Sequence, residues 1–218
     1  MAHQPHAFPT PEADDHPAWA RAFFTVWGGQ AASLFGSSVV QFALVWWLTE
    51  ETDSATVLTL AMLAAILPRV LLGPLAGALV DRWNRRAVML AADAGIALVT
   101  IGLIALFAAD VVRPWHIYGA LLLRALGEAF HFPAMTASTT LMVPEPHLAR
   151  IGGLNQTLNG AMNIAAPPIA ALLLEIMSVG GVIAIDVITA GIALVTLAIV
   201  HIPQPDLAPA TQGAIATV

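Results

Sequence analysis

Six long apolar stretches dominate this sequence and restrict the folds open to it. Each is longer than 20 residues, and a helix needs about 20 apolar residues to cross the hydrocarbon core of a bilayer. The stretches cover approximately Phe23–Leu48, Val57–Val80, Ala87–Ala109, Trp115–Thr136, Leu154–Met177 and Val182–Ile202. We therefore predict an all-α, polytopic membrane protein with six transmembrane helices embedded in a lipid bilayer.

The composition agrees with this prediction and excludes several other classes. Charged residues make up 10% of the chain and hydrophobic residues 58%, whereas soluble domains carry about 25% charged residues. The eight basic residues are all arginine and the net charge is −6, so no basic surface for nucleic acid is expected. Cysteine is absent, which removes disulfides and thiolate metal sites. We predict neither a cofactor nor a metal.

The segments outside the stretches are short. The predicted connections are Thr49–Thr56, Asp81–Arg86, Asp110–Pro114, Ala137–Gly153 and Ser178–Gly181, which leaves no room for a soluble catalytic domain. Residues 1–20 are polar and proline-rich and lack the basic and apolar regions of a signal peptide. We expect a disordered cytoplasmic tail at 1–20, a helical bundle at 21–202 and a cytoplasmic linker or tail at 203–218.

Arginine placement predicts the orientation, because cytoplasmic loops carry an excess of basic residues. If the N-terminus is inside, the residues Arg21, Arg82, Arg85, Arg86 and Arg150 are cytoplasmic. Only Arg113 is then external. Both termini are predicted to be cytoplasmic, in a bacterial inner (plasma) membrane.

Charged residues inside the apolar stretches are candidates for function. A central arginine costs about 2.5–3.5 kcal/mol on insertion. Arg124, Glu128 and His131 follow one another at i, i+4 and i+7, which places them on one helical face and favours a polar cavity or a proton route. Arg69 fits either such a role or a structural ion pair. Asp93 and Asp186 lie nearer to the ends of their stretches and are weaker candidates.

Uncharged polar residues form two further stripes. The first stretch carries Gln30, Ser33, Ser37 and Gln41, and the fifth carries Asn155, Asn159 and Asn163. Amides in hydrocarbon without a partner are costly, so these faces either line a cavity or bond neighbouring helices. The fifth stretch also holds Gly160, expected to allow close helix packing, and the pair Pro167–Pro168, expected to bend or break the helix.

The connection between the second and third stretches resembles a known motif. From Gly77 the sequence reads GALVDRWNRR, which is similar to the G-x-L-x-D-R-x-G-R-R loop of the major facilitator superfamily. The matching residues are Gly77, Leu79, Asp81, Arg82, Arg85 and Arg86. Asn84 replaces the usual glycine, and asparagine also tolerates the left-handed conformation. We expect Gly77 to allow close packing, and Asp81 and the arginines to form a charged latch at the cytoplasmic face.

The resemblance extends along most of the chain. GAMNIAAPPIAA, at 160–171, is similar to the helix-five motif of the superfamily's antiporters. GQAASLFGSSVVQFALVWWLT and LNQTLNG look most like the macrolide-efflux branch of the drug:proton antiporters, with siderophore exporters close to it. Arg124 lies where exporters of the superfamily carry an arginine implicated in proton coupling.

The resemblance implies an architecture and an activity. It implies two inverted three-helix repeats, a cavity lined by helices one, four and five, and the N-terminal half of a secondary active transporter. The activity implied is proton-coupled efflux of hydrophobic drug-like compounds, such as macrolides, by alternating access. The partners implied are the substrate, protons and a second six-helix half, in the same full-length chain or in a dimer. Three interpretations remain for a chain that supplies one half: a partial sequence, a true half that dimerises, or a decayed product.

Other functions fit parts of the sequence. A facilitator or importer of the same superfamily, or a siderophore exporter, would share most of these features. An intramembrane enzyme would need a nucleophile facing a base, for which Ser37 or Ser38 with His131 is the one combination available. A non-transporting sensor or assembly module is a further alternative.

Overall fold

The computed structural model describes residues 17–203, and within them the chain is helical, without strands. The helices are α1 (Pro17–Thr52), α2 (Ala55–Val80), α3 (Arg85–Ala108), α4 (Pro114–Met142), α5 (Glu145–Ile176) and α6 (Val179–Ile199). The predicted all-α class is confirmed. The predicted tails lie largely outside the described residues, although α1 begins at Pro17, four residues before the predicted start of the bundle.

Five of the helices in the described range are long and apolar enough to cross a membrane: α1, α2, α3, α5 and α6. The exception is α4, which carries Arg124, Glu128 and His131 between its apolar residues. Polar side chains at membrane depth need partners from neighbouring helices. The insertion of α4 in the membrane therefore depends on its contacts with the rest of the bundle more than on its own hydropathy.

The predicted loop at Ala137–Gly153 is wrong. The helix α4 continues to Met142, and α5 begins at Glu145. Ser138 and Thr139 lie inside the continued helix, and their hydroxyls donate to the backbone oxygens of Ala134 and Met135, at 2.7 and 2.9 Å. Hydroxyls bonded in this way are tolerated inside a helix, so the polar residues do not end it.

The packing of the six helices repeats after the third. The helix α1 packs against α5 and α6, and α4 packs against α2 and α3, while α3 and α6 pack against each other. Exchanging α1–α3 with α4–α6 leaves this set of pairs unchanged. Because three is an odd number of membrane crossings, the two repeats run in opposite directions. These pairs agree with the predicted inverted three-helix repeats.

Three glycines allow close helix packing, and they differ from the ones the sequence suggested. A Cβ atom on Gly29 would lie 2.1 Å from the hydroxyl of Thr196, and one on Gly36 would lie 2.1 Å from that of Thr189. Both contacts join α1 to α6. A Cβ atom on Gly127 would lie 2.9 Å from a side-chain carbon of Ile96, on α3.

The two glycines predicted to allow close packing do not do so. A Cβ atom on Gly77 or on Gly160 would meet nothing within 4 Å. Both residues lie on faces of α2 and α5 that the other described helices leave uncovered. The Pro167–Pro168 pair also does not break α5, which is one helix from Glu145 to Ile176. Each proline removes only one backbone donor, and the hydrogen-bond ladder resumes after the pair.

Two apolar clusters hold the ends of the bundle. One lies near the α2–α3 connection and includes Phe23, Val80, Met89, Met142 and Ile151. The other lies near the α1–α2 connection and includes Leu44, Leu48, Leu103, Ile117 and Ile183. Five buried polar residues occupy sequence positions between those of the two clusters: Gln30, Asp93, Thr100, Arg124 and Asp186. Two others, Ser138 and Thr139, lie in the part of α4 that belongs to the first cluster. The candidate site is therefore a polar layer across the middle of the bundle.

Candidate functional site

Asp186 of α6 is the most enclosed charged residue of this layer. Its side chain is 0% exposed, and its carboxylate is ion-paired with Arg124 of α4, which is 3% exposed. The hydroxyls of Ser37 (α1) and Thr100 (α3) each donate to this carboxylate at 2.9 Å. The second guanidinium nitrogen of Arg124, Nη2, is buried without a hydrogen-bond partner among the described residues. Four helices thus converge on one carboxylate.

Asp93 of α3 is the second buried carboxylate. It is 5% exposed, and it accepts a 3.0 Å hydrogen bond from Nε2 of Gln30, on α1. Nε2 of His131, on α4, lies 3.3 Å from its other oxygen. That nitrogen is buried and the contact lacks hydrogen-bond geometry, so the imidazole faces the carboxylate without being fixed by it. Asp93 joins α1, α3 and α4.

Glu128 has a different environment. Its side chain is 31% exposed and lies 3.8 Å from Arg69 of α2, whose side chain is 53% exposed. The three polar residues of α4 therefore have three different partners: Asp186 for Arg124, Arg69 for Glu128 and Asp93 for His131. The predicted stripe on α4 therefore contacts three helices: α6 through Arg124, α2 through Glu128 and α3 through His131.

The stripe on α1 is partly turned inward. Gln30 and Ser37 bond the two buried carboxylates, Ser33 is half-buried and Gln41 is exposed. The position of Gln30 and Ser37 supports the bonding interpretation, in which the stripe links helices. Gln41 lies on an open face.

The asparagine stripe on α5 lies at the edge of the bundle. Asn155 accepts a 2.7 Å hydrogen bond from the indole nitrogen of Trp27, on α1. Asn159 donates to the backbone oxygen of Asn155 at 2.9 Å, and Asn163 is exposed. Only the first of the three asparagines therefore bonds another helix, and the remainder of the stripe runs along an open face.

The motif between α2 and α3 joins the ends of four helices. Arg85 lies 3.9 Å from Asp81 and donates to the backbone oxygen of Ala137 on α4 at 2.8 Å. Arg86 donates to the oxygens of Leu197 and Ala198 at 2.7 and 2.5 Å, at the C-terminus of α6. Cations there complement the helix dipole. The predicted latch thus holds α4 and α6 as well as the loop, while Arg82 is exposed.

Asn84 does not adopt the expected left-handed conformation. Its φ is −66°, and its side chain accepts a 2.9 Å hydrogen bond from the backbone nitrogen of Ala87. Asparagine is a preferred N-cap, so the residue replaces the usual glycine by starting α3. The positive φ values among the described non-glycine residues are those of Asp53 and Asp110, in the connections at the other end.

Two cavities open on the sides of α4. One, of about 800 Å³, lies between α3 and α4 and is lined by small and apolar residues such as Ala91, Gly95 and Gly127. The other, of about 670 Å³, lies between α2 and α4 and includes Arg69, Gly73 and Thr136. Neither buried carboxylate lines the larger cavity. Its mostly apolar lining suits an apolar occupant such as a lipid chain. The smaller one borders the Arg69–Glu128 pair.

The arrangement offers no hydrolytic pair in the described part of the chain. Ser37 donates to Asp186, and Ser38 donates to the backbone oxygen of Leu34 at 2.8 Å, while His131 faces Asp93. Neither serine is therefore positioned by the histidine, as a nucleophile requires. Within residues 17–203, no group of three His, Cys, Asp or Glu side chains could hold a metal ion.

From the sequence, Asp93 and Asp186 are weaker candidates than the structure makes them, and Thr100 is not a candidate at all. The two aspartates were placed second to Glu128 because of their distance from the middle of a span. A usable signal was present, since Asp186 is the one charged residue of α6 and Asp93 is the one acidic residue of α3. A lone carboxylate in an apolar helix needs a buried partner, and Arg124 was the buried cation available.

A family model for the Major Facilitator Superfamily matches residues 26–216. The chain belongs to this superfamily. It is 42% identical over 186 residues to macrolide efflux protein A of Streptococcus pyogenes, covering 85% of this chain and 46% of that protein. It is 39% identical to macrolide efflux protein A of Enterococcus faecalis, covering 69% of this chain and 46% of the relative.

A more distant relative is also an efflux protein by name. Multidrug efflux pump Tap of Mycobacterium bovis is 32% identical over 193 residues, covering 84% of this chain and 43% of the relative. The chain thus spans about half the length of the curated relatives it matches. No solved structure matches it significantly. The chain is a multi-pass protein of the plasma membrane, from a superfamily of transporters, and it is similar to the macrolide-efflux branch.

Proposed function

We propose that the chain is the N-terminal half of a secondary active transporter that exports hydrophobic drug-like compounds, such as macrolides, in exchange for protons. Two relatives named as macrolide efflux proteins and one named as a multidrug efflux pump support the direction and the substrate class. The observation that carries the proposal is the polar layer of the bundle. It contains two carboxylates, a guanidinium and an imidazole in the middle of apolar helices.

This layer suits alternating access because its bonds cross the boundary between the two repeats. The Arg124–Asp186 pair joins α4 to α6 within the second repeat. Ser37 and Thr100, from the first repeat, bond the same carboxylate. A change of charge in the layer alters the contacts of both repeats at once, so it biases the balance between two arrangements of the helices.

Glu128 is the most exposed of the three carboxylates described above: its side chain is 31% exposed, against 5% for Asp93 and 0% for Asp186. We propose that it takes up the proton first. It shares a helical face with Arg124, one turn away, so a change in its charge acts on the buried ion pair through the local field.

We propose that a second six-helix half covers α2 and α5, either in the same full-length chain or as a second copy. Asn163 of α5 and Gln41 of the neighbouring helix α1 are exposed, and amides facing lipid without a partner are unfavourable. Covering this side would place the substrate between the two halves. Both termini are proposed to be cytoplasmic, and no enzymatic activity is assigned.

Export from a drug-sensitive bacterium tests the proposal. Cells that make the full-length protein should accumulate less radiolabelled macrolide than cells without it, and a protonophore should abolish the difference. Replacing Glu128 by Gln should abolish gradient-driven export while leaving expression intact. Unchanged export by this variant would contradict the role of Glu128.

The alternatives give other results in the same assay. Faster equilibration of the macrolide to the same final level as in control cells would indicate a facilitator. Accumulation above that of control cells would indicate an importer. A protein with no effect on macrolide in any condition would be a siderophore exporter or a non-transporting module.

A further inference from the structure

The two buried carboxylates occupy equivalent places in the two repeats. Gln30 lies 63 residues before the carboxylate that it bonds, Asp93, and Arg124 lies 62 residues before its own, Asp186. The contact of Asp93 with His131 and that of Asp186 with Ser37 are related in the same way. A shift of 94 positions takes Gln30 to Arg124 and Ser37 to His131, so each carboxylate contacts one residue of α1 and one of α4.

The equivalent places hold different chemistry. Asp186 has a guanidinium and two hydroxyls around it, and an arginine does not release its proton in proteins. Asp93 has an amide and an imidazole around it, and an imidazole exists with or without its extra proton near neutral pH. Of the two sites, only the one at Asp93 has a partner that can exchange a proton.

The surrounding helices bring no other free charge to Asp93 in the described part of the chain. On α4, Arg124 pairs with Asp186 and Glu128 pairs with Arg69. On α6, Asp186 is the one charged residue. The charged residues of α1 are Arg21, Glu50 and Glu51, which lie near its two ends.

Two further cations are on α3 itself, and both are engaged. Arg85 contacts Asp81 and Ala137, and Arg86 bonds the end of α6. Asp93 lies two turns further along α3, at about 12 Å by the helical rise. His131 is therefore the titratable group that faces Asp93, and its side chain is 19% exposed although Nε2 itself is buried.

We propose that Asp93 and His131 form a proton-exchange pair, whereas the equivalent site, in which Asp186 contacts Ser37 and Arg124, does not exchange a proton. Proton uptake places a hydrogen on Nε2 of His131, so an imidazolium faces the carboxylate of Asp93 and the pair is neutral overall. Release returns the proton to water and leaves a neutral imidazole beside a carboxylate. The contact between α3 and α4 is thus stronger in the protonated state.

The link to export rests on the proposed function, but the proton site does not, so the test has two independent parts. The first uses the full-length protein in nanodiscs with nitrogen-15 histidine and no drug. The ring signal of His131 is identified by its loss in a His131→Gln variant. We expect this signal to change between the imidazolium and the neutral form as the pH is raised across the range in which the protein stays folded. A single form throughout would overturn the proposal.

The second part measures macrolide export by proteoliposomes with and without a proton gradient. His131→Gln and Asp93→Asn, which both keep a polar side chain of similar size, should lose the gradient dependence. The control His201→Gln alters an exposed histidine and should retain it. Full gradient dependence in both pair variants would overturn the proposal. If His131 exchanges a proton but wild-type export ignores the gradient, the proton site is supported and proton-coupled efflux is contradicted.

Discussion

At the scale of single residues, the buried ion pair sets the clearest expectation. Asp186→Asn keeps the shape of the side chain but leaves Arg124 charged, buried and unpaired. Breaking a buried pair from one side costs about 3–5 kcal/mol. We expect a corresponding fall in the free energy of unfolding, measured by denaturant titration in detergent.

Arg69→Gln is the matched control for this loss. It breaks the pair with Glu128, whose partners are 53% and 31% exposed, and exposed pairs contribute about 0–1 kcal/mol. Equal losses in the two variants would contradict the burial argument. The double variant Arg124→Gln with Asp186→Asn should recover most of the stability, since no unpaired charge then remains.

The polar residues of α4 show what sequence could predict at this scale. Spacings of four and seven placed Arg124, Glu128 and His131 on one face of a helix, and the structure has them there. Spacing within a helix does not determine which neighbour lies opposite each residue. The partners Asp186, Arg69 and Asp93 come from three other helices, and these pairings follow from the packing of the bundle.

At the scale of the helices, the contact of α1 with α6 depends on two glycines. In Gly36→Ala, the new methyl group would lie 2.1 Å from the hydroxyl of Thr189 and 3.1 Å from the backbone of Asp186. Overpacking of this kind costs about 1–3 kcal/mol. We expect the variant to unfold at a lower temperature and to disturb the carboxylate site through α6.

Gly102→Ala is the control for Gly36→Ala. A Cβ atom there meets nothing within 4 Å, and alanine gains about 1 kcal/mol over glycine in a helix. The control should be neutral or stabilising in the same thermal unfolding measurement. A Gly36→Ala protein as stable as the control would contradict the overpacking argument.

The helices were predictable from apolar length, and their ends were not. Burial in lipid requires long runs of apolar residues, so six elements could be located approximately. The last turns of α4 contain Ser138 and Thr139, whose hydroxyls bond the preceding turn, so a polar run inside a helix looks like a loop in the sequence. The same limit applies to Asn84, whose role as an N-cap follows from its backbone angles and not from its position in the motif.

At the scale of the whole molecule, the two repeats leave one pair of helices open. Within one apolar stretch of 18 residues in each helix, the share of buried residues is 17% in α2 and 11% in α5, against 33% in α1, α3 and α6. The two open helices are exchanged by the same symmetry that relates the repeats. The glycines Gly77 and Gly160, which the motifs suggested as packing positions, lie on these helices with open space around them. This pattern fits the proposed second half.

The orientation of the molecule in the membrane is testable because the chain has no cysteine. Glu51, at the end of α1, and Glu145, at the start of α5, are both exposed. Three helices separate them, an odd number, so they lie on opposite sides of the membrane. The excess of arginine near the α2–α3 and α4–α5 connections predicts that Glu145 is on the cytoplasmic side.

Single replacements of these two glutamates by cysteine therefore make a matched pair. A membrane-impermeant maleimide should label Glu51→Cys in intact cells, and it should label Glu145→Cys only after the membrane is permeabilised. The opposite pattern would reverse the orientation, and equal labelling of both in intact cells would contradict a single orientation. A cytoplasmic Glu145 also places the α2–α3 connection on that side. Since Asp93 lies about 12 Å along α3 from this end by the helical rise, the proposed proton pair would then belong to the cytoplasmic half of the membrane and Asp186 to the external half.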